Sequence, residues 1–215
     1  KLSNSAIYGT RQNISNLQTA ITFLGVEKLK NLILQISLVK TFDKDVKGLP
    51  EFRLNIFWEH SLATAYFSNI IVEKLKIQKD ENYYISGLLH DIGKLIIYQM
   101  YPDKFKDIIR IQTEQNLIDF EAEEKVLGVN HNDVGGFLAR KWNFNPLIID
   151  VIEQHHQVEK MEQIEVAVIQ LANMFAKISG FCFPWDKKLL EIIGDPSWNV
   201  IAKSTESLDV DTLIN

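Results

Sequence analysis

The chain has 215 residues, is 46% hydrophobic and 24% charged, and carries a formal net charge of −5. This composition is typical of an ordinary globular protein, and the sequence has no Lys/Arg cluster of the kind that binds nucleic acids or anionic membranes. Its one cysteine, Cys182, excludes an internal disulfide and fits a reducing cytoplasm. Because there is no signal peptide and no apolar run long enough to span a bilayer, we expect a cytoplasmic protein with neither a nucleic-acid nor a membrane partner.

Helical periodicity runs through almost the whole chain, and no segment has the alternation or the Asn-Gly turn typical of a hairpin. We therefore predict an all-α protein of ten or more helices. The polar turn at 43–50 predicts a boundary between part of an N-terminal helical lobe, residues 1–48, and a larger helical domain, residues 49–215. Helices are predicted over 15–24, 29–42, 52–75, 81–98, 102–111, 119–127, 133–142, 146–156, 164–178 and 185–193, with further short helices in 196–215.

The stretch 87–95 has the strongest chemical signal. Read as a helix, its leucines and isoleucines form a broad apolar face, while Gly87, His90, Asp91 and Lys94 form a narrow polar stripe. Such a helix should be buried, and a buried His-Asp pair needs partners because unpaired buried charge is costly. Those partners would be a metal ion, a substrate or other side chains. Two adjacent glycines at 135–136 predict a close approach between helices.

Every histidine of the chain lies in or beside a predicted helix. Imidazole suits Zn, Fe and Ni, and helix-borne His and Asp side chains that converge in a bundle form a common kind of metal site. Taken singly, each has an ordinary explanation: a histidine at a helix C-terminus favours the helix dipole, and Asp91 with Lys94 is an i,i+3 ion pair. The joint pattern is what favours a functional site. The candidate residues are His60, His90, Asp91, His131, His155 and His156.

The order of these residues resembles the HD superfamily of metal-dependent phosphohydrolases. His60 matches the first histidine of that signature, and His90-Asp91 match its doublet. Gly93-Lys94 continue the doublet as in the HD-GYP branch, and the resemblance implies that His131, His155 and His156 are additional metal ligands. Two departures stand out: Asn173 lies where the last aspartate is expected, and residues 157–161 lack the Gly-Tyr-Pro segment.

The resemblance is closer still to the HDOD domain, an HD-related output domain of bacterial signalling proteins. It implies an all-helical, HD-like bundle with an N-terminal lobe, a bacterial cytoplasmic signalling role and, in most members, no enzymatic activity. In that family the lobe starts before an Asn-Ser-Ala segment, so we expect that chain is missing upstream of Lys1. The matching segments are Asn4-Ser5-Ala6, Ala20-Ile21 with Leu24-Gly25, Trp58 with His60, 87–94, 124–128, His131, Gly135, 142–146 and His155-His156.

Three functions follow from these residues. The first is a non-catalytic regulatory HDOD module that binds a signalling protein or a small ligand, with a divalent Fe, Mn, Ni or Zn ion in the HD pocket. The second is a metal-dependent phosphohydrolase or phosphodiesterase, in which the metal would lower the pKa of bound water and polarise the phosphoryl oxygens, and Lys94 would help to neutralise the phosphate charge. The third is a metal-free, hydrogen-bonded core of histidines. Asn173 and the missing Gly-Tyr-Pro segment favour the first.

Overall fold

The computed structural model describes residues 53–78, 80–161, 163–186 and 194–204, which contain helices and no strand and belong to one compact unit. The all-α prediction is confirmed. The predicted helices at 15–24 and 29–42 and the predicted domain boundary lie outside the described residues. Within these ranges the helices are α1 Leu54–Lys74, α2 Asn82–Leu89, α3 Ile92–Met100, α4 Pro102–Gln115, α5 Asp119–Leu127, α6 His131–Lys141, α7 Pro146–Gln154, α8 Val158–Met161, α9 Ile164–Ile178 and α10 Ser197–Ser204.

Helix α9 forms the centre of the described core. It is apolar on nearly every side, as expected for a helix surrounded by protein, and the runs 166–169 and 171–174 are buried. It packs against α1, α2, α7 and α10. Each fully buried Val, Leu or Ile side chain contributes about 1.5–3 kcal/mol relative to exposure. This packing therefore fixes the helices that bring the histidines together. Among the described helices, none is both long and apolar enough to cross a membrane.

The prediction of one continuous helix over 81–98 is wrong, because the structure has two helices there, separated at His90 and Asp91. Helix α2 ends at Leu89, α3 begins at Ile92, and Asp91 has the non-helical angles φ −99° and ψ 10°. The cause is local: the Gly87 carbonyl accepts a hydrogen bond from the His90 ring at 2.8 Å. The next helix then starts with the amide of Lys94 donating to the Asp91 carbonyl at 2.9 Å. The break thus allows the side chains of His90 and Asp91, which are successive in sequence, to lie close to each other.

Other helix limits differ by a few residues from the prediction. Helix α6 begins at His131 because the Asn130 side chain accepts hydrogen bonds from the amides of Asn132 and Asp133, an N-cap. Helix α4 continues to Gln115 rather than to residue 111. Trp185 and Asp186 are not helical, contrary to the prediction for 185–193, and the rest of that range lies outside the described residues. The prediction for 164–178 is confirmed.

Helices α3 and α6 approach each other through glycines, as the Gly-Gly pair predicted. A Cβ atom on Gly93 would lie 2.8 Å from the Gly135 nitrogen and would overlap the His131 carbonyl oxygen. A Cβ atom on Gly135 would lie 2.8 Å from the Ile152 Cγ2 atom. Real Cβ atoms essentially never make contacts below 3.0 Å. The absence of side chains at both positions therefore allows the start of α6 to lie directly against the Asp91 turn.

Candidate metal centre

The structure brings the six predicted ligands together from separate parts of the fold. His60 lies on α1, His90 and Asp91 form the turn between α2 and α3, and His131 is the first residue of α6. His155 and His156 follow the end of α7. All six side chains are buried, and that of His156 is the most accessible of them at 6%. A surface loop would hold such side chains far less rigidly than these helices and helix ends do.

The Asp91 carboxylate lies at the centre of these six residues, and each of its two oxygens faces a different pair of histidines. Its Oδ2 atom is 3.5 Å from His60 Nε2 and 3.3 Å from His90 Nε2. Its Oδ1 atom is 3.3 Å from His131 Nε2 and 3.6 Å from His155 Nε2. The ligand atoms of Asp91, His131, His155 and His156 lie within 4.8 Å of one another, as do those of His60, His90 and Asp91. These are two adjacent ligand groups that share one carboxylate.

Hydrogen bonds on the far side of the rings determine which nitrogen faces the cluster as an acceptor. His60 Nδ1 donates to the Phe181 carbonyl at 2.7 Å, and His90 Nδ1 donates to the Gly87 carbonyl at 2.8 Å. His155 Nδ1 lies 3.2 Å from the Ile152 carbonyl. A carbonyl oxygen only accepts, so these Nδ1 atoms carry the proton and each Nε2 presents a lone pair. This is the tautomer that ligates a metal through Nε2.

His131 is oriented by a carboxylate that the sequence interpretation missed. Glu123 Oε2 accepts from His131 Nδ1 at 2.6 Å and from the His131 backbone amide at 2.7 Å. Glu123 is fully buried on α5. A carboxylate behind a histidine fixes the ring and raises its basicity as a metal ligand. The available signal was an acidic residue on the apolar face of the short helix that precedes His131.

The converging acceptors have the chemistry expected of a cation site. His60 Nε2 and His90 Nε2 are 3.4 Å apart although both rings have their proton on Nδ1, so two lone pairs face each other. Among the described residues, Asp91 Oδ1 and His155 Nε2 are buried with no hydrogen-bond partner. Buried acceptors without donors are costly, and a cation between them removes that cost. Mixed imidazole and carboxylate ligands suit Fe, Mn, Ni and Zn, so the residues fit the implied metal.

The protonation states also suit metal binding. Burial lowers the pKa of His60 to about 3 against the opposing effect of Asp91, and burial lowers the pKa of His155 to about 4. Burial alone would raise the pKa of Asp91, but the His90 ring and the Lys94 ammonium hold it well below its usual range. At neutral pH these groups are therefore neutral imidazoles and an ionised carboxylate, the forms that coordinate metals.

Lys94 is held between two carboxylates inside the fold. Its Nζ atom is 2.7 Å from Asp91 Oδ2 and also pairs with Asp119 Oδ2, and its side chain is 2% exposed. Burial opposes its charge, but Asp119 and Asp91 raise the pKa of Lys94 above its ordinary value. Asp119 Oδ1 lies 3.9 Å from His156 Nε2, so this second carboxylate borders the cluster as well. Sequence reasoning placed Asp119 only on an acidic helix.

Asn173 lies on α9, which packs against α1, the helix of His60, and against α2, which ends just before His90. Its side chain is 2% exposed, and its Oδ1 atom has no hydrogen-bond partner within the described ranges. A buried acceptor of this kind is compatible with the ligand position that the HD-like motif order implied. The Asn173 amide would contribute only a dipole to a bound metal ion, whereas an aspartate carboxylate at this position would contribute a negative charge.

Comparison with known families assigns the chain to one of them. The family model for the HDOD domain matches residues 1–158. The chain belongs to the HDOD domain family. The matched residues include all five histidines and Asp91 and end before Asn173. An HDOD domain protein of unknown function from Geobacter sulfurreducens has a similar crystal structure, with a TM-score of 0.85 and 28% identity over 99% of this chain and 73% of that chain.

Curated relatives are similar over a smaller share of their own length. An uncharacterized protein of Treponema pallidum is 26% identical over 182 residues, which is 81% of this chain and 34% of that protein. Ribonuclease Y of Mycoplasma mycoides subsp. mycoides is 29% identical over 160 residues, which is 73% of this chain and 26% of the ribonuclease. This HDOD chain thus spans about a third or less of the curated relatives it matches.

Proposed function

We propose that this HDOD chain is a regulatory signalling module in which the histidine cluster holds two divalent transition-metal ions as part of the folded structure. The module acts by binding a signalling protein or a small ligand and does not hydrolyse phosphate esters. The observation that carries this proposal is the closure of the cluster: His60, His90 and Asp91 are at most 2% exposed, and Lys94 is enclosed with them.

Hydrolysis would require a phosphate group to reach both the ions and a neutralising cation. The cation that the HD resemblance implies is Lys94, and its ammonium is already paired with Asp91 and Asp119. Releasing it would leave Asp119 as a buried carboxylate without that partner, and breaking such a pair costs about 3–5 kcal/mol. The arrangement therefore favours a closed site that stabilises the fold.

One ion would be held by His60, His90 and Asp91, and the second by Asp91, His131, His155 and His156. When bound, the ions supply Lewis acidity and positive charge at the point where the lone pairs converge. The ligands connect α1, the α2–α3 turn, α6 and the end of α7, so ion binding would link four parts of the fold. An ion at 100 times its dissociation constant would stabilise the folded state by about 2.7 kcal/mol.

Metal-dependent phosphodiester hydrolysis is the second candidate. The five histidines that converge on Asp91 or its neighbours and the similarity to Ribonuclease Y favour it. In that case Lys94 would exchange Asp119 for a phosphate oxygen, and the closed cluster would open to admit the substrate.

An activity screen distinguishes the two candidates. Purified protein would be loaded in turn with Mn, Fe, Ni and Zn and incubated with cyclic dinucleotides, nucleotides and a short RNA, with Asp91→Ala as the matched control. We expect no product above the level of the control, together with a metal-dependent rise in melting temperature that the control lacks. Product formed by the unaltered protein and lost in Asp91→Ala would overturn the regulatory proposal and support hydrolysis.

A further inference from the structure

A cavity of about 230 Å³ lies beside the cluster, and His156 forms part of its wall. The polar groups around it include Glu159, Asp195 and Gln170. Glu159 is exposed, and one oxygen of Asp195 accepts a hydrogen bond from the Ser197 amide at 2.9 Å. Gln170 Oε1 is buried without a partner among the described residues. The cavity thus offers carboxylate and amide oxygens next to one of the predicted ligands.

His156 connects this cavity to the cluster. Its Nε2 atom faces His131 Nε2 at 3.2 Å. His156 therefore contacts the cluster and also lines the cavity. Of the six predicted ligands, His156 is the one that lines this cavity.

The size and charge of the cavity define what it accepts. A divalent cation with six waters, at about 30 Å³ each in liquid water, requires roughly 180 Å³, which fits within the cavity. The volume lies below the ~300–1,000 Å³ range of ordinary small-molecule pockets. Two carboxylates attract a cation, and clefts lined by one sign of charge raise association rates by about 10–1,000-fold.

We propose that this cavity, lined by His156, Glu159, Gln170 and Asp195, is the site where a hydrated divalent cation first binds before it enters the histidine cluster. The inference rests on the proposed function, since it concerns how the same cluster acquires its ions. The oxygens of Glu159, Gln170 and Asp195 replace outer waters of the ion, and His156 is the first cluster ligand that it meets. The remaining five ligands are at most 2% exposed.

Association kinetics test this assignment. Zn²⁺ would be mixed with the full chain in a stopped-flow instrument in the presence of a chromogenic chelator, and its release to excess chelator would be followed separately. The test variant is Glu159→Gln with Asp195→Asn. The control is Asp103→Asn with Glu114→Gln, which makes the same change in net charge at two exposed positions on α4.

We expect the test variant to bind Zn²⁺ about tenfold more slowly than the control and to release it more slowly by a similar factor, with affinity within about twofold of wild type. Both rates fall together because an access site lowers the barrier in each direction. Rates equal to those of the control would overturn the inference, and so would weaker affinity with unchanged association. Failure of wild type to bind Zn²⁺ by calorimetry would instead overturn the proposed function, which separates the two.

Discussion

Gly93 should be essential to the cluster because its missing side chain sets the distance between α3 and α6. In Gly93→Ala the new Cβ atom would lie 2.8 Å from the Gly135 nitrogen, whereas ordinary contact begins at 3.4 Å. The helices must therefore separate by at least 0.6 Å, the difference between these distances, and further to clear the His131 carbonyl. Both groups are backbone, so no side-chain rotation relieves the overlap. Overpacking of this kind costs about 1–3 kcal/mol, and we expect the upper end.

The same displacement should impair metal binding. Functional metal sites tolerate ligand displacements of about 0.2 Å, and His131 Nε2 now lies 3.3 Å from Asp91 Oδ1. We expect Gly93→Ala to lower the melting temperature by about 6–12 °C and to weaken affinity for Zn²⁺ or Mn²⁺ at least about tenfold. Thermal unfolding would measure the change in melting temperature, and titration calorimetry would measure the change in affinity.

Gly128→Ala is the matched control. Gly128 has φ +73°, and a Cβ atom there would meet nothing within 4 Å, so the cost is a backbone penalty of about 1–2 kcal/mol with no ligand displaced. Metal affinity should be unchanged in this control. The reasoning would be refuted if Gly93→Ala retained wild-type affinity, or lost no more affinity than Gly128→Ala.

Three further predictions concern the charges around the cluster. Glu123→Gln should weaken metal affinity about tenfold by calorimetry, because it removes the carboxylate behind His131, whereas Glu121→Gln on the same helix should have no such effect. The metal-free protein should lose stability as the pH falls from about 6.5 towards 4. Burial lowers the pKa of His60 to about 3 and that of His155 to about 4 in the folded state. The unfolded chain therefore binds more protons than the folded chain in this pH window. Within this window the free energy of unfolding should fall by about 1.4 kcal/mol per pH unit for each histidine. A urea midpoint that is unchanged between pH 7.5 and 5 would contradict this prediction. Asn173→Asp should raise metal affinity about tenfold, since it adds a charge where the amide has only a dipole, and equal affinity would show that Asn173 is not at a ligand position.

The sequence was sufficient to predict the helical architecture and to predict which histidines lie close together. Periodicity predicts buried helices well, as the agreement over 164–178 shows, and the order of the HD-like residues indicated which histidines converge on Asp91. The break between α2 and α3 was missed because the apolar pattern continues through it. The break depends on one hydrogen bond, from the His90 ring to the Gly87 carbonyl, which periodicity does not register.

The charged residues behind the ligands were also missed, for a different reason. Asp119 meets Lys94 across 25 positions of sequence, and Glu123 meets His131 across eight. In each pair the two residues lie on different helices, so the periodicity within one helix does not relate them. Such pairs depend on how α5 lies relative to α3 and α6, and only the folded structure shows this.

The most direct test of the central claim is anomalous scattering from crystals of the full chain grown with Mn²⁺ or Zn²⁺, measured at the absorption edge of the metal. The account predicts two peaks per chain, one between His60, His90 and Asp91 Oδ2, and one between Asp91 Oδ1, His131, His155 and His156. A well-ordered cluster without an anomalous peak at millimolar metal would contradict it and would identify the histidines as a hydrogen-bonded core.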